Sequence, residues 1–316
     1  MVLRYNPHSF LTGDDPFLCL SFVAREEHKV THEVVYEPRH EGFIGIPHGG
    51  LGMGLCLDAW RRIGGPDYPI VMRCKFGGSG VSIGDSVLFS AKKGEGSDTR
   101  RVTATLIKPG DKTPYLYTEI EPWTGNLDPS YIPGPVLSHA RKLPYYRNCF
   151  VCGHHRPEGQ PGLQRRFQYH HMLEGHHVSC TWGFDLEDHD RAGLFLYDAE
   201  ELHPAVITSI FDENTAWAGF MLTHRAGLSV RLECTLLRPV SRSEKLLFVG
   251  RPTGVRGNHR SPRFFCAEGA VYGMNDPQTP EPVAFGRGEW LIMHEYTQQV
   301  KENLLPAEDS DWIFTV

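Results

Sequence analysis

The sequence has no uninterrupted apolar run near the ~20 residues that a membrane-spanning helix requires. Its first segment, Met1 to Asp14, also lacks an apolar core like that of a signal peptide. Positive charge is not in excess either, because 38 Asp and Glu outnumber 32 Lys and Arg and give a formal net charge of -6. These absences predict a cytoplasmic protein that spans no membrane and does not bind nucleic acid by neutralising its phosphates.

The sequence also lacks the full ligand pattern of a zinc module. Cys149 and Cys152 form a CxxC motif close to several histidines, but no second ligand pair follows at the customary spacing. Several of the eight cysteines lie within apolar helix or strand patterns, as buried free thiols do. We therefore predict no disulfide, no metal and no cofactor, and we interpret the CxxC motif as a structural turn, with zinc binding as the alternative.

What the sequence does contain is the composition of an ordinary globular protein, with 40% hydrophobic and 22% charged residues. Its 316 residues are enough for about two domains. Prolines recur between Pro122 and Pro144, which indicates a linker. The sequence therefore predicts a first domain over residues 1–122, a proline-rich linker over 123–144 and a second domain over 145–316.

One long apolar segment, from Glu201 to Met221, carries a carboxylate near its middle. Pro204 suits the first position of a helix, where its missing N–H is not needed, and apolar residues cover most of the circumference beyond it. Asp212 and Thr215 belong to a narrow strip of small and polar residues that share one face. We predict a buried helix that presents Asp212 where a ligand can approach.

The stretch from Pro47 to Trp60 follows the same plan. His48 corresponds to His203, and acidic residues follow each histidine by nine or ten positions. A basic strand and a polar turn come after each helix. This repeat of about 155 residues predicts a duplicated domain. Each copy has one long helix and an antiparallel meander, which is an α+β architecture.

Three features resemble the hotdog-fold acyl-CoA thioesterases, in particular the PaaI-like group. They are the motif His48-Gly49-Gly50 at one helix start, the acid Asp212 in the other helix, and the cysteine-rich segment Asn148 to Phe167. The resemblance covers most of residues 15 to 293. It implies a fused double hotdog in which two antiparallel sheets each wrap around a long central helix, so that the halves form a pseudo-dimer.

The resemblance also implies the chemistry. Acyl-CoA would be the small-molecule partner, with coenzyme A present only as part of the substrate, and a homo-oligomer of double-hotdog chains is compatible with the family. Backbone N–H groups at a glycine-opened helix start would bind the oxyanion, and a carboxylate from the opposite protomer would act as general base or nucleophile. The resulting catalytic candidates are His48, Gly49, Gly50, Asp212 and Glu213.

Five further residues are candidates for substrate binding. Asn214 and Thr215 follow the helix acid and could position water. Three arginines occupy a loop rich in glycine and proline, and they could hold the phosphates of coenzyme A; they are Arg256, Arg260 and Arg263.

The two copies of the motif are not equally complete. The glycines of the first copy can pair with Asp212 of the second. In the reciprocal pairing, Pro204 and Ala205 replace the glycines and Leu57 occupies the position of Asp212. Asp58 lies one residue further on, rotated by about 100° around the helix. The sequence therefore predicts one working composite site and one decayed site.

Other interpretations stay open. Gly49 and Gly50 could simply allow close helix packing, and Asp212 and Glu213 could be structural. A non-catalytic acyl- or CoA-binding protein with degenerate sites is a second function class. A hotdog hydratase or dehydratase is a third, and it would need a catalytic His or an Asp/His pair near the entrance of the fold. The segment Leu11 to Leu18 is faintly similar to such motifs but contains no His.

Overall fold

The computed structural model describes residues 20–26, 29–77, 80–94, 99–128, 132–135, 140–158, 160–172, 175–197, 200–258 and 261–314. The segment 11–18 that faintly resembles dehydratase motifs lies outside these residues, as does Arg260. No helix among the described residues is both long and apolar enough to cross a membrane.

Four helices occur in the described chain. They are α1 (Gly49–Arg62), α2 (Leu186–Leu194), α3 (Pro204–Thr223) and α4 (His294–Asn303). The bounds of α1 and α3 are close to those that the sequence predicts. The sequence did not predict α2, because its nine residues are mostly polar and show no apolar helical period.

Fifteen strands complete the described fold. The first half contains β1 (Leu20–Glu26), β2 (Lys29–Val35), β3 (Ile70–Phe76), β4 (Ser86–Lys93), β5 (Val102–Ile107) and β6 (Leu116–Pro122). The second half contains β7 (Arg141–Lys142), β8 (Tyr145–Tyr146), β9 (Gln168–Met172), β10 (Gly175–Trp182), β11 (Gly227–Leu236), β12 (Leu246–Asn258), β13 (Ser261–Gly273), β14 (Glu281–Ile292) and β15 (Leu304–Leu305).

Thirteen of these strands form one sheet, in the order β1-β2-β4-β5-β6-β3-β11-β14-β13-β12-β10-β9-β7. The two halves meet where β3 pairs antiparallel with β11, with Cys74 opposite Leu232. The prediction of two separate sheets therefore needs correction, because each half offers an edge strand and the two edges hydrogen-bond to each other. Such pairing satisfies backbone groups that an isolated half would leave exposed.

The helix α3 is buried along nearly its whole length. Every residue from Pro204 to Met221 is buried, because one face of the helix packs on the sheet and another on α1. His203 caps the start of the helix, and His224 ends it in the left-handed conformation with φ of 54°. The helix α3 is apolar around most of its circumference because it contacts protein around most of its circumference.

The helix α1 lies close against α3. A Cβ atom on Gly50 would lie 2.2 Å from the Cα atom of Ser209, so that only a glycine fits at this crossing point. The hydroxyl of Thr208 donates to the carbonyl of Gly50 at 3.2 Å. This close packing brings the start of each helix beside the middle of the other.

The described part of the predicted linker packs against the second half. Trp123 makes an edge-to-face contact with Phe285, with ring centroids 5.6 Å apart. Ile132 is buried in a small apolar cluster with residues of β12 and β13, and the hydroxyl of Tyr272 donates to the carbonyl of Pro133 at 2.7 Å. The described residues of this segment therefore pack on the sheet of the second half.

Candidate functional site

The start of α1 is held by the side chain of His48. This residue is the N-cap, and its Nδ1 atom accepts a hydrogen bond from the Gly50 N–H at 3.1 Å. The imidazole is buried, with an exposure of 5%. Because Nδ1 accepts this hydrogen bond, the ring proton of neutral His48 is on Nε2. The Nε2 atom points toward α3.

Asp212 reaches this helix start from the other half of the chain. Its Oδ2 atom lies 3.8 Å from His48 Nδ1, and a Cβ atom on Gly49 would lie only 2.8 Å from the same oxygen. The Ser229 hydroxyl donates to Oδ1 at 2.9 Å. Burial raises the pKa of Asp212, and this effect outweighs the opposite effects of His48 and of the Ser229 hydrogen bond. A glycine at position 49 thus permits a close approach of this carboxylate.

Glu213 points to the far side of the same histidine. Its Oε2 atom lies 3.4 Å from His48 Nε2 and accepts from the Cys149 thiol at 3.0 Å. The Trp217 indole N–H donates to Oε1 at 3.3 Å. Consecutive residues of a helix project about 100° apart, which explains why Asp212 and Glu213 flank His48 from two directions. Glu213 contacts protein groups at both of its oxygens.

A small cavity of about 70 Å³ contains Asp212, His48 and Gly49. A larger cleft of about 490 Å³ adjoins it, and its walls include Phe76, Tyr115 and Leu291. The two spaces share five lining residues, which are Ile46, Pro47, Gly49, Leu228 and Ser229. The cleft therefore leads to the Asp212 carboxylate along a mostly apolar wall.

The two glycines of the motif have different surroundings. The Gly50 N–H is bonded to His48, and its Cα packs against Ser209. Among the residues that the structure describes, the Gly49 N–H has no hydrogen-bond partner. Gly50 therefore has a visible packing role, whereas Gly49 lies against the carboxylate and lines both cavities.

The structure does not bring Asn214 and Thr215 to this site. The Asn214 amide donates to the carbonyl of Val178 at 3.3 Å, and its backbone lies against Gly250 of β12. The Thr215 hydroxyl donates to the carbonyl of Phe211 one turn earlier at 2.7 Å. Both side chains pack α3 onto the sheet, and neither lines the two cavities.

Two of the predicted phosphate-binding arginines, Arg256 and Arg263, also lie elsewhere. Arg256 pairs with Glu289, and the guanidinium groups of Arg256 and Arg263 lie 5.6 and 5.4 Å from the ring centroid of Phe264. Arg256 lines a groove of about 690 Å³ that shares no lining residue with the cleft. The position of Arg260 is not among the described residues.

The start of α3, where it lies beside Asp58 of α1, has the same capping histidine but different surrounding side chains. His203 caps α3, and its Nδ1 atom accepts from the Ala205 N–H at 3.0 Å. His203 Nε2 lies 3.7 Å from Asp58 Oδ1, and Asp58 forms an ion pair with Arg62 one turn later. Burial alone would raise the pKa of Asp58, but His203 and Arg62 outweigh it and hold this pKa below its usual value.

Two residues of the Asp212 site, Ser229 and Cys149, were not assigned to it from the sequence. Ser229 lies at the start of β11, in a strand that was expected only to continue the sheet. The CxxC motif was noted, but its contact with Glu213 joins residues 64 positions apart. Only the packing of the segment around Cys149 beneath α1 and α3 brings these groups together.

No protein-family model and no curated protein matches this sequence. Solved structures match the fold. The acyl-CoA thioesterase II TesB2 from Mycobacterium marinum has a TM-score of 0.52 at 15% identity, over 88% of this chain and 95% of that chain. A hot dog fold protein of unknown function from Alicyclobacillus acidocaldarius has 0.54 at 12%, over 87% and 96%. A variant of the GphF dehydratase has 0.51 at 12%, over 86% and 96%.

At these identities the likeness concerns the fold alone. The chain has an α+β fold of the double hotdog type, which confirms the fold that the family resemblance implied. The matches extend over most of this chain and nearly all of the other chains, so both halves take part in the likeness.

Proposed function

We propose that this protein hydrolyses acyl-CoA thioesters at one composite site, where α1 begins beside Asp212. The observation that carries the proposal is the position of the Asp212 carboxylate, which comes from the second half and lies against Gly49 of the first half. A carboxylate next to a glycine-opened helix start supplies a base and an oxyanion site within one small cavity.

In the proposed reaction, the thioester carbonyl lies over the start of α1 and the Gly49 N–H donates to its oxygen. Gly49 is the better donor of the two glycines, because the Gly50 N–H already bonds to His48. Asp212 takes a proton from water, and the hydroxide formed attacks the carbonyl carbon. The C–S bond then breaks, and the proton passes from Asp212 to the leaving thiolate. Ser229 orients the carboxylate throughout. The proposed hydrolysis uses no cofactor.

The shape of the adjoining cleft supports a thioester with an extended apolar part. Phe76, Tyr115 and Leu291 line it together with Ile46 and Pro47. A volume of about 490 Å³ lies within the range of small-molecule sites, which is roughly 300–1,000 Å³. A chain bound there would place its reacting carbonyl at Gly49.

Equivalent positions in the two halves support a tandem duplication and a pseudo-dimer. His48, Asp58 and Arg62 correspond to His203, Glu213 and Trp217, and both histidines cap their helices through Nδ1. The site would then be one of two related sites in an ancestral dimer. A cytoplasmic location is part of the same proposal, since free acyl-CoA is an intracellular substrate class.

The direct test is thiol release from a panel of acyl-CoA esters of differing chain length and aromatic character. We expect the purified protein to release thiol from at least one ester, with saturation kinetics. Binding of the esters without release, measured by calorimetry on the same panel, would contradict hydrolysis and would support an acyl-CoA-binding protein.

A second function has one specific observation in its favour. The Asp/His pair that a hydratase or dehydratase requires is present, because His48 Nδ1 lies 3.8 Å from Asp212 Oδ2 inside the cavity. An enoyl-thioester offered to the protein distinguishes the two reactions. Loss of the conjugated double bond without thiol release would indicate hydration, whereas hydrolysis releases thiol and leaves the double bond intact.

A further inference from the structure

Three side chains that can bind a metal lie close together, although they come from distant parts of the sequence. One ligand atom each from His48, Cys149 and Glu213 lies within 4.8 Å of the others, and all three residues are buried. The Cys152 thiol accepts from the Tyr146 N–H at 3.4 Å and is also fully buried. Three donors, one of them sulfur, thus converge beside the small cavity, and the second cysteine of the CxxC motif lies in the same turn.

Backbone N–H groups around the CxxC motif point at both sulfur atoms. The Val151 N–H donates to Cys149 Sγ at 3.3 Å, and the Tyr146 N–H donates to Cys152 Sγ at 3.4 Å. The Gly153 N–H closes the turn on the carbonyl of Cys149 at 2.9 Å. Burial raises the pKa of both thiols, so the thiolate, which is the form that binds metals, would form together with the bound ion, and the N–H donors would then stabilise it.

The charge of Glu213 gives an independent reason for a cation. Its counterpart, Asp58, is neutralised by Arg62, but Trp217 occupies the position equivalent to Arg62 beside Glu213. Within the described ranges, His48 is the one basic side chain paired with Glu213. A buried carboxylate without a strong cationic partner is costly, and a bound metal ion would offset that cost.

We infer that Cys149, His48 and Glu213 bind a zinc ion, with Cys152 next to them in the CxxC turn. A thiolate, an imidazole and a carboxylate form a ligand set that suits zinc. The ion would cross-link the 145–153 segment to the start of α1 and to the middle of α3. This inference does not depend on the proposed hydrolysis.

The same ion would fix the orientation of His48 toward Asp212. Binding through Nε2 requires the ring proton to reside on Nδ1, which lies 3.8 Å from Asp212 Oδ2. A histidine that binds a metal through one nitrogen and a carboxylate through the other is a common arrangement. The Gly50 N–H, which also interacts with Asp212, then has that carboxylate as its acceptor.

The sequence predicted no metal because a second ligand pair is missing near the CxxC motif. The structure supplies two further donors from positions 48 and 213, one in each half of the chain. Neither has a spacing from Cys149 that a zinc motif would show.

The test is the metal content of protein produced in zinc-supplemented medium and purified under reducing conditions without chelators. We expect about one zinc ion per chain, retained on dialysis. The variants Cys149→Ser with Cys152→Ser, and Glu213→Gln, should lose most of it. Cys234→Ser is the matched control, because Cys234 is a fully buried thiol of β11 outside the cluster, and this variant should keep its zinc.

Cobalt provides a second measurement that does not need the variants to fold. Wild-type protein stripped of metal and titrated with Co²⁺ should show a thiolate-to-cobalt charge-transfer band that saturates at about one equivalent, and its Tm should rise with added metal. A folded wild-type protein that binds neither zinc nor cobalt, or a double cysteine variant that retains zinc, would overturn the inference.

Discussion

The starts of α1 and α3 share one backbone design and differ in their side chains. His48 and His203 adopt nearly the same conformation, with φ and ψ of -64° and 126° against -62° and 128°. Each histidine accepts from the N–H two residues later and faces an acidic residue of the other helix. The capping histidine is therefore a structural device of this fold, and its presence does not by itself indicate catalysis.

The two helix starts differ in the space beside the capping histidine and in the presence of a second carboxylate, Asp212. At the His48 end, Gly49 leaves room for Asp212. At the other end, Leu57 replaces Asp212, Pro204 replaces Gly49, and Arg62 neutralises Asp58. Among the described residues, the start of α1 places a carboxylate and an N–H donor together at a cavity, so the difference between the two helix starts locates the proposed chemistry.

The largest expected effect concerns the two acids. Asp212→Asn should lower turnover roughly 10²- to 10⁴-fold while the protein stays folded, because an amide keeps the shape but cannot take a proton. Asp58→Asn is the matched control at the other end and should leave kcat/KM nearly unchanged. Steady-state thiol release by the two variants checks the prediction, and similar losses from both would end the one-site proposal.

The next effect concerns the ion pair between Arg62 and Asp58, which lies at the start of α3. Arg62→Leu should lower the free energy of unfolding by about 2–3 kcal/mol, less than the 3–5 kcal/mol of a fully buried pair because Arg62 is partly exposed. The pKa of Asp58 lies below its usual value in the folded protein, so the pair stabilises the protein at neutral pH and less as the pH falls through that pKa.

Urea unfolding measures this change, and Asp58→Asn with Arg62→Leu completes a double-mutant cycle. A coupling free energy near zero would show that Arg62 does not compensate Asp58. The contrast with Glu213, on which part of the case for zinc rests, would then lose its basis.

The third effect concerns the crossing point of α1 and α3. Gly50→Ala should destabilise the protein by about 1–3 kcal/mol, because the added methyl group would lie 2.2 Å from Ser209 Cα and the helices must separate to fit it. Ala205→Gly, at the equivalent position of α3, adds no atoms and should cost less than about 1 kcal/mol. Thermal unfolding of the two variants provides the comparison, and equal shifts in Tm would contradict it.

Much of this comparison could be predicted from the sequence. The apolar composition of α3, Pro204 at its start and the glycines of α1 fixed both helices to within a few residues. The equivalence of His48 with His203, and the substitution of Leu57 for Asp212, could be read from spacing alone. Local periodicity and capping carry such information because they depend on neighbours within one turn.

The facing of individual side chains could not be predicted. Asn214 and Thr215 were expected at the substrate, yet they pack α3 on β10 and on its own backbone. In a helix that is buried on all sides, polar residues also pack against protein, so a polar strip does not show which residues meet a ligand. The contact of Cys149 with Glu213 and the pairing of β3 with β11 depend on the packing of the halves, which no local pattern encodes.

The smallest effect tests whether the second histidine is purely structural. His203→Ala removes the side chain that accepts the Ala205 N–H, and loss of an N-cap costs about 0.5–2 kcal/mol. We expect a decrease of about 1 kcal/mol in the free energy of unfolding, measured in urea, with kcat and KM for thiol release unchanged, since His203 lines neither cavity of the Asp212 site. A marked loss of turnover in folded His203→Ala protein would mean that the end with Asp58 takes part in the reaction, and the distinction between the two helix starts would have to be abandoned.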